Sequence, residues 1–535
     1  MNRLVALFFI LIFLFGSNAR AAIASGAVWE VRATATAANV NGGAFNPNNA
    51  SPGTDYSQQD SSQFNGTNLA SSNGSTNPCV VTSATHNFVS TDNGNYIHIN
   101  SGTNWTAGWY EIVSTSGNAA TLDRACGSSA SLSSGTWHEG GAISLGDASD
   151  STWAAAIVSG NTIYYKKGSY TAGAQLNFSA TCLSSQPCKH IGYNATRTDS
   201  PTGSNRPTID SGGTQTIFNV YSQIYNLILT QNGANGLSDN NNAMYYNVKA
   251  IMTSTTAGRI ALAPGTDSAV FNSEIIAPFG IGINCGNDCT LVGNYIHDSA
   301  TGVKMAGNGN PVVIINNIFA GNYTQAINSV ASTGLNTIYG NTFYGYESKI
   351  GIGANIVANA TNNRFYNNIF YGLATGITIG TYGMNLEDFN DFNNVTTPRT
   401  NIPTGSNSIT AAPGFANVTN ITGTSGSLSG STLTASGFSN VTDNVDYCYI
   451  SSGTGATPGA YLITAHTSTT LTLSSAPGGS GSNINYQIRQ GNNFAVSPAM
   501  KWKGFPAAFP AISTTSYNDL GAAQRHEYGR PRGKK

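Results

Sequence analysis

IINNIF at residues 314–319, IYGNTF at 338–343 and FYNNIF at 365–370 are three renderings of one phrase, an apolar residue, an asparagine and a second apolar residue at alternate positions. The phrase recurs with Asn226, Asn247, Asn272, Asn294, Asn317, Asn341, Asn368 and Asn390, at steps of 21, 25, 22, 23, 24, 27 and 22 residues. A near-constant period with slack that loops can absorb is how a solenoid is written.

Stacking the phrases on their asparagines yields columns. Two positions before stand Ile224, Tyr245, Val270, Val292, Ile315, Tyr339, Tyr366 and Asp388, and two after stand Ile228, Lys249, Glu274, Ile296, Phe319, Phe343, Phe370 and Phe392. Nine positions after comes a further column of Ile281, Val303, Ala326, Ile350 and Ile377, often preceded by glycine. Alternation with period two predicts short strands, at least two per coil. Coils in register would lie ~4.8 Å apart, stacking phenylalanine on phenylalanine and letting each asparagine bond the next. Lys249 and Glu274, at one phase of adjacent coils, are expected to touch. A helical solenoid of similar period fails on composition: Gly, Asn, Thr and β-branched residues dominate where Ala, Leu, Glu and Lys would be needed.

Only 9% of the 535 residues are charged and 61 are glycine, but 40% are hydrophobic and 10% aromatic, which points to an ordered, turn-rich chain rather than a disordered one. A net charge of −1 gives no general attraction to nucleic acid or acidic membranes. The basic run Arg525, Arg530, Arg532, Lys534 and Lys535 reads as a solvated tail. At the other end Arg3, the apolar run Leu4–Phe15 and the small residues before Ala21 read as an export signal cleaved after Ala21, too short to span a bilayer. The expected destination is extracellular or the cell surface, where disulfides form. Cys182 with Cys188 and Cys285 with Cys289 are near neighbours, Cys79 and Cys126 make the third pair, and Cys448 is left over. Cys285 and Cys289 lack the further ligands that a zinc site requires.

Residues 92–127 and 443–478 align without a gap at an offset of 351, with 15 identities over 36 positions. Alternating stretches such as Tyr96–Ile99 and Trp109–Val113, broken by Ser-Gly-Thr turns, make each copy a small antiparallel β unit. Cys448 stands where the first copy has Ile97, so it substitutes for a buried apolar residue.

GNTIYYKKGSYT at 160–171, NRPTID at 205–210 and the Asn-x-Ile phrases resemble the coils of right-handed parallel β-helix proteins of the pectate-lyase-like superfamily. SPAM at 497–500 and DLGAAQR at 519–525 are similar to their closing signature, and the first small module with GTDYSQQD at 53–60 resembles β-rich proteins of bacteriophages and environmental bacteria. The expected class is all-β, a right-handed parallel β-helix solenoid with two small antiparallel β modules. Its expected divisions are a signal peptide (1–21), a lead or cap (22–78), the first module (79–145), the β-helix (146–415), the second module (416–490) and a closing segment with basic tail (491–535).

The resemblance fixes no activity, since its members include lyases, hydrolases, epimerases, adhesins and tailspikes. The Asn-Thr-Asp, Asp-Asp and Gly-His-Gly elements of its polygalacturonases are absent, and no aspartate-rich calcium site like that of its pectate lyases maps onto the chain. Proton transfer would fall to Asp288, His297, Asp298 and Lys304, within 17 residues of one another. Glu387, Asp388 and Asp391 could offer Ca²⁺ several carboxylate oxygens, the one exception to an expectation of no cofactor. Tyr344 and Tyr371, each one past the phenylalanine column, would form an outward aromatic pair suited to sugar. The expected function is a rigid surface that binds a polysaccharide or cell-surface glycan, phage-derived in style. The alternatives are a polysaccharide lyase or glycoside hydrolase, and a structural or tail-fibre-like protein. Neither nucleic acid nor a membrane span is expected, and a trimer would follow from a tailspike-like build.

Overall fold

The computed structural model describes residues 23–35, 39–174, 176, 182–213, 221–233, 237–238, 242–306, 311–330, 334–345, 351–356, 361–380, 383–415, 417–497, 500, 503 and 521–522. The expected export signal, the basic tail and nearly all of the closing signature lie outside these residues.

Each turn of the solenoid visits three sheets of parallel strands. The first runs from Val28–Val31 to Leu386–Asp388, the second from Ser169–Thr171 to Asp391–Asn393, and the third from Leu237–Ser238 to Thr397–Thr400. Ile318, Phe319 and Ala320 pair in register with Thr342, Phe343 and Tyr344, and these with Ile369, Phe370 and Tyr371. Phe319, Phe343, Phe370 and Phe392 therefore stack face to face inside the helix, at centroid separations of 4.9, 4.6 and 4.8 Å. This is the strand spacing itself, about 4.8 Å, so the rings inherit their contact from the backbone register.

The asparagine column proves to be two columns. One left-handed residue turns the chain from the first sheet into the second: Asn226, Asn247, Asn272, Gly293, Asn316, Gly340, Asn367 and Phe389, with φ between 47° and 69°. Asparagine and glycine tolerate that conformation best. The next residue is buried, and in the later coils it is Asn294, Asn317, Asn341, Asn368 and Asn390. The amides of the first four each donate to the side-chain oxygen of the asparagine in the next coil, at 2.9 to 3.1 Å, and to a backbone carbonyl within the helix, while that of Asn390 donates to Glu387. Alignment on asparagine thus slips by one residue between Asn272 and Asn294. A slip of one reverses the side of every strand residue. Ile224, Tyr245 and Val270 point inward with Leu291, Ile314, Ile338, Phe365 and Glu387, whereas Val292, Ile315, Tyr339, Tyr366 and Asp388 belong to the opposite phase. Ile228, Lys249 and Glu274 likewise face out, level with Tyr295 and not with Ile296. A second ladder, Asn336, Asn363 and Asn385, occupies another corner and obeys the same bonding rule.

The solenoid begins before the first small module. Val28–Val31 pairs in parallel with Thr162–Lys166, and Ala44–Phe45 lies antiparallel on its other edge. Between these rungs a closed barrel is inserted, with six strands from Phe64–Ser71 to Leu132–Glu139. A second closed barrel, from Asn417–Ser429 to Gly478–Asn493, follows the last rung. Both are antiparallel, and in both a tyrosine hydroxyl donates to a carbonyl four residues earlier, Tyr110 to Thr106 and Tyr461 to Thr457, each at 2.7 Å. Cys448 is buried among apolar side chains, as Ile97 is in the first barrel. Disulfides join Cys79 to Cys126, Cys182 to Cys188 and Cys285 to Cys289, which fits an oxidising compartment. Among the described residues no helix is long and apolar enough to cross a membrane.

Candidate binding site

On the outer face of the second sheet, period-two alternation places Lys249 and Ile251, Glu274 and Ile276, then Tyr295 and His297 side by side on three successive rungs. The second barrel packs on this face. Phe279 meets Tyr461 edge to face at 5.1 Å, Tyr323 stacks on Tyr449 at 4.9 Å, and Arg489 reaches across to bond Asp298 at 2.9 Å. The two surfaces do not close fully. A cavity of about 640 Å³ remains between them, with a floor of Ile251, Ile276, Tyr447, Ala460 and Leu462 and a rim of Thr253, Thr255, Thr442, Asn444 and Ser474.

One end of the cavity is charged. The Lys249 ammonium lies 2.8 Å from Glu274, Glu274 lies 3.3 Å from Nε2 of His297, and Nδ1 of His297 lies 2.6 Å from Asp298, which Arg489 also holds. Burial alone would raise the Glu274 carboxyl, but the hydrogen bond and charge of His297, with Lys249, outweigh it and hold the group at about 2. Asp446, on the barrel side, is pushed up by burial despite the Thr442 N–H it accepts. Burial likewise raises the phenols of Tyr295 and Tyr447, which stay neutral.

The internal duplication explains why this space exists. The first barrel docks on the helix through the equivalent face: Tyr96, the counterpart of Tyr447, lies 6.0 Å from Trp29, and Trp109 lies 5.9 Å from it. Trp109 also donates its indole N–H to the Asn41 carbonyl, while Asn46 and Asn49 bond Glu111. At the offset of 351 the second copy has Ala460 for Trp109 and Leu462 for Glu111. The bulk and the polar ties that fill the first interface are missing from the second, and a cleft is left.

The sequence-predicted residues separate. His297 and Asp298 are together, His297 in the cleft wall and Asp298 behind it. Lys304 lies on the third sheet, level with Asn284 and Asn328, and Asp288 forms a left-handed turn beside Cys289; neither lines the cleft. Nearness in sequence within one coil scatters residues over three faces, so the four-residue patch does not form. Tyr344 and Tyr371 stack at 5.5 Å on the outer face, but Phe415 and Phe494 cover them and Tyr344 is only 3% exposed. Glu387, Asp388 and Asp391 diverge. Glu387 points into the helix and takes Arg399, Asn390, Ser408 and the Gly405 N–H; Asp388 accepts from Asn407. Asp391 is buried on the opposite phase, its carboxyl pushed up to about 8 by burial. Sequence reading missed Tyr447, Ala460, Asp446 and Arg489; the pairing of Trp109 with Ala460 in the two-copy alignment could have pointed to the first three, but Arg489 lies beyond the aligned residues.

Residues 256–392 match the family model of a right-handed β-helix region. No curated protein sequence matches the chain. Among solved structures, the chain is similar to pectate lyase Pel9A at 13% identity, over 72% of this chain and 92% of that one, with a TM-score of 0.35. The alginate lyase AlyGC of family PL6 is similar at 13% identity over 49% and 39%, TM-score 0.36. The tailspike protein gp49 of Pseudomonas phage LKA1 is similar at 12% over 82% and 83%, TM-score 0.19.

Proposed function

We propose that the protein is exported and binds a polysaccharide, holding a short stretch of an uncharged glycan in the cleft between the second sheet and the second barrel. The observation that carries this reading is the replacement of Trp109 by Ala460, which leaves about 640 Å³ where the first copy is filled. That volume lies within the ~300–1,000 Å³ usual for ligand sites. The apolar floor suits the C–H face of a sugar ring, and the rim of hydroxyl and amide side chains suits its hydroxyls. Lys249 is paired with Glu274 and Arg489 with Asp298, so neither cation is left to select a polyanion.

The test is calorimetric titration of the whole protein with a panel of oligosaccharides, beside the variant Ala460→Trp. The same barrel accepts tryptophan at this position in its first copy, so the variant is expected to fold with unchanged thermal stability and to lose binding. Binding that survives Ala460→Trp, or no binding to any glycan, overturns the reading. Chemistry on the bound chain has one observation in its favour: Glu274 is held ionised while Asp446 is pushed toward its protonated form, the opposed shifts that a base and an acid need. Release of reducing ends that vanishes in Glu274→Gln and Asp446→Asn, with binding kept, would establish it.

A further inference from the structure

Inside the first barrel, away from the cleft, three ligating side chains converge. His86, Asp92 and Glu139 each present an atom within 4.8 Å of the others. Nε2 of His86 lies 2.9 Å from Oδ2 of Asp92 and 3.8 Å from Oε2 of Glu139. They arrive from separate elements: Asp92 from a short 3-10 turn, Glu139 from the end of the last barrel strand, and His86 from the loop before the turn. Phe64 stacks on the His86 ring at 3.7 Å and Phe88 meets its edge, so the ring is held in place. Both carboxylates are fully buried, and three of their four oxygens, Oδ1 of Asp92 and both of Glu139, have no hydrogen-bond partner. Oδ2 of Asp92 takes the Val89 N–H and His86.

A buried carboxylate with nothing to accept from is costly, and the barrel does not need this one. Glu139 pairs with Ile97, and in the second barrel the equivalent partner of Cys448 is Ile488, an apolar residue buried without penalty. Asp443, the counterpart of Asp92, turns outward to His466 at 2.7 Å. The same scaffold thus closes without a carboxylate at the Glu139 position. What the first copy adds is a nitrogen and two carboxylates aimed at one point.

We propose that His86, Asp92 and Glu139 bind a divalent transition-metal ion of the zinc type, in a site peculiar to the first barrel. Donors about 2.0–2.2 Å from a tetrahedral ion stand roughly 3.4 Å apart, midway between the two distances found. One nitrogen and two carboxylates are three protein ligands of the kind zinc accepts, leaving a fourth position open. Ca²⁺, which takes 6–8 oxygens, is poorly matched by this set. His86, with 10% of its side chain exposed, is the one member that reaches solvent and marks the way in.

The experiment is elemental analysis and Zn²⁺ titration of the whole protein, with Ca²⁺ as control, followed by thermal unfolding with and without a chelator. A single equivalent of Zn²⁺, a chelator-induced fall in Tm and indifference to Ca²⁺ are expected. Glu139→Ile, which copies the second barrel and so keeps a residue this scaffold accommodates, should abolish binding and the chelator effect while the circular dichroism stays native. Asp92→Asn, read by titration, should weaken binding at least about tenfold. A folded protein that neither contains nor binds Zn²⁺ overturns the proposal and leaves a proton shared by the carboxylates as the occupant. Binding that survives Glu139→Ile also overturns it.

Discussion

Asp391 is the residue at which solution conditions should speak most directly. It is fully buried on the closing coil, and burial pushes its carboxyl from the usual 3.8 up to about 8, with only the Ala411 N–H working against that. The native state therefore holds a proton more tightly than the unfolded chain. The stability that this proton contributes is complete below about pH 4 and is lost as pH rises through the native value near 8, at up to about 1.4 kcal/mol per pH unit. Asp391→Asn is expected to flatten the fall in Tm between mildly acid solution and pH 8; an unchanged slope would assign the dependence to another group. Glu387 illustrates the opposite treatment of a buried acid. Phase alone would mark it as an ordinary charged strand residue, but it enters the core at the last rung and meets Arg399, Ser408 and the Gly405 N–H. Nothing local in Leu386-Glu387-Asp388 announces this, because the partners come from the following 21 residues.

Among elements, the stacked strands of the second sheet carry the fold. Phe343 lies between Phe319 and Phe370, is fully buried and has rings on both faces within 8° of parallel. Phe343→Ala should cost about 3–5 kcal/mol, measured by denaturant unfolding. A cost below about 1 kcal/mol would mean that the ladder contributes little beyond what a surface position gives. This ladder, the Lys249–Glu274 contact and the three disulfide pairs were legible in the sequence because they follow from repeat spacing or nearness alone. The one-residue slip between Asn272 and Asn294 was not, since two roles, left-handed turn and buried ladder, are both filled by asparagine. Only the register separates them. Tyr344 and Tyr371 were legible as an outward pair, but not their cover: Phe494 follows the last strand of the second barrel, and no periodicity of the coils foretells it.

At the scale of the molecule, the two barrels turn the same face to different parts of the solenoid, the first to the core at the Trp29 rung and the second to the outer face of the second sheet, where a cleft is left. The first is bound in by Trp29, Tyr96 and Trp109. The second is held by Phe279 on Tyr461, Tyr323 on Tyr449 and Arg489 on Asp298, the last being the one charged link across the cleft among the described ion pairs. Removing one partner of a buried pair leaves the other uncompensated and costs about 3–5 kcal/mol, although Asp298 keeps its 2.6 Å contact with Nδ1 of His297. Arg489→Ala should therefore loosen the second barrel: limited proteolysis is expected to cut between the last rung and Asn417 sooner than in the parent, with the solenoid left intact. Equal digestion rates would show that the apolar contacts of Phe279 and Tyr323 suffice. The candidate cleft is a property of this scale, which is why single-coil reading gathered residues that lie on different faces, whereas the comparison of two distant copies holds the Trp109-to-Ala460 change that opens the cleft.

A pile of parallel strands has no natural end, and each terminal rung offers a template on which another molecule could continue the pile. At the start of the rod that template is spoiled. Ala44–Phe45 pairs with Val28 and Trp29 in the reverse sense and then leads away, and Ile143 bridges Val31 beyond it, so an incoming strand of like direction finds the edge already taken. Copies of this protein are thereby steered away from fibre growth at that end, and the length of the rod is decided by one chain rather than by how many chains are present.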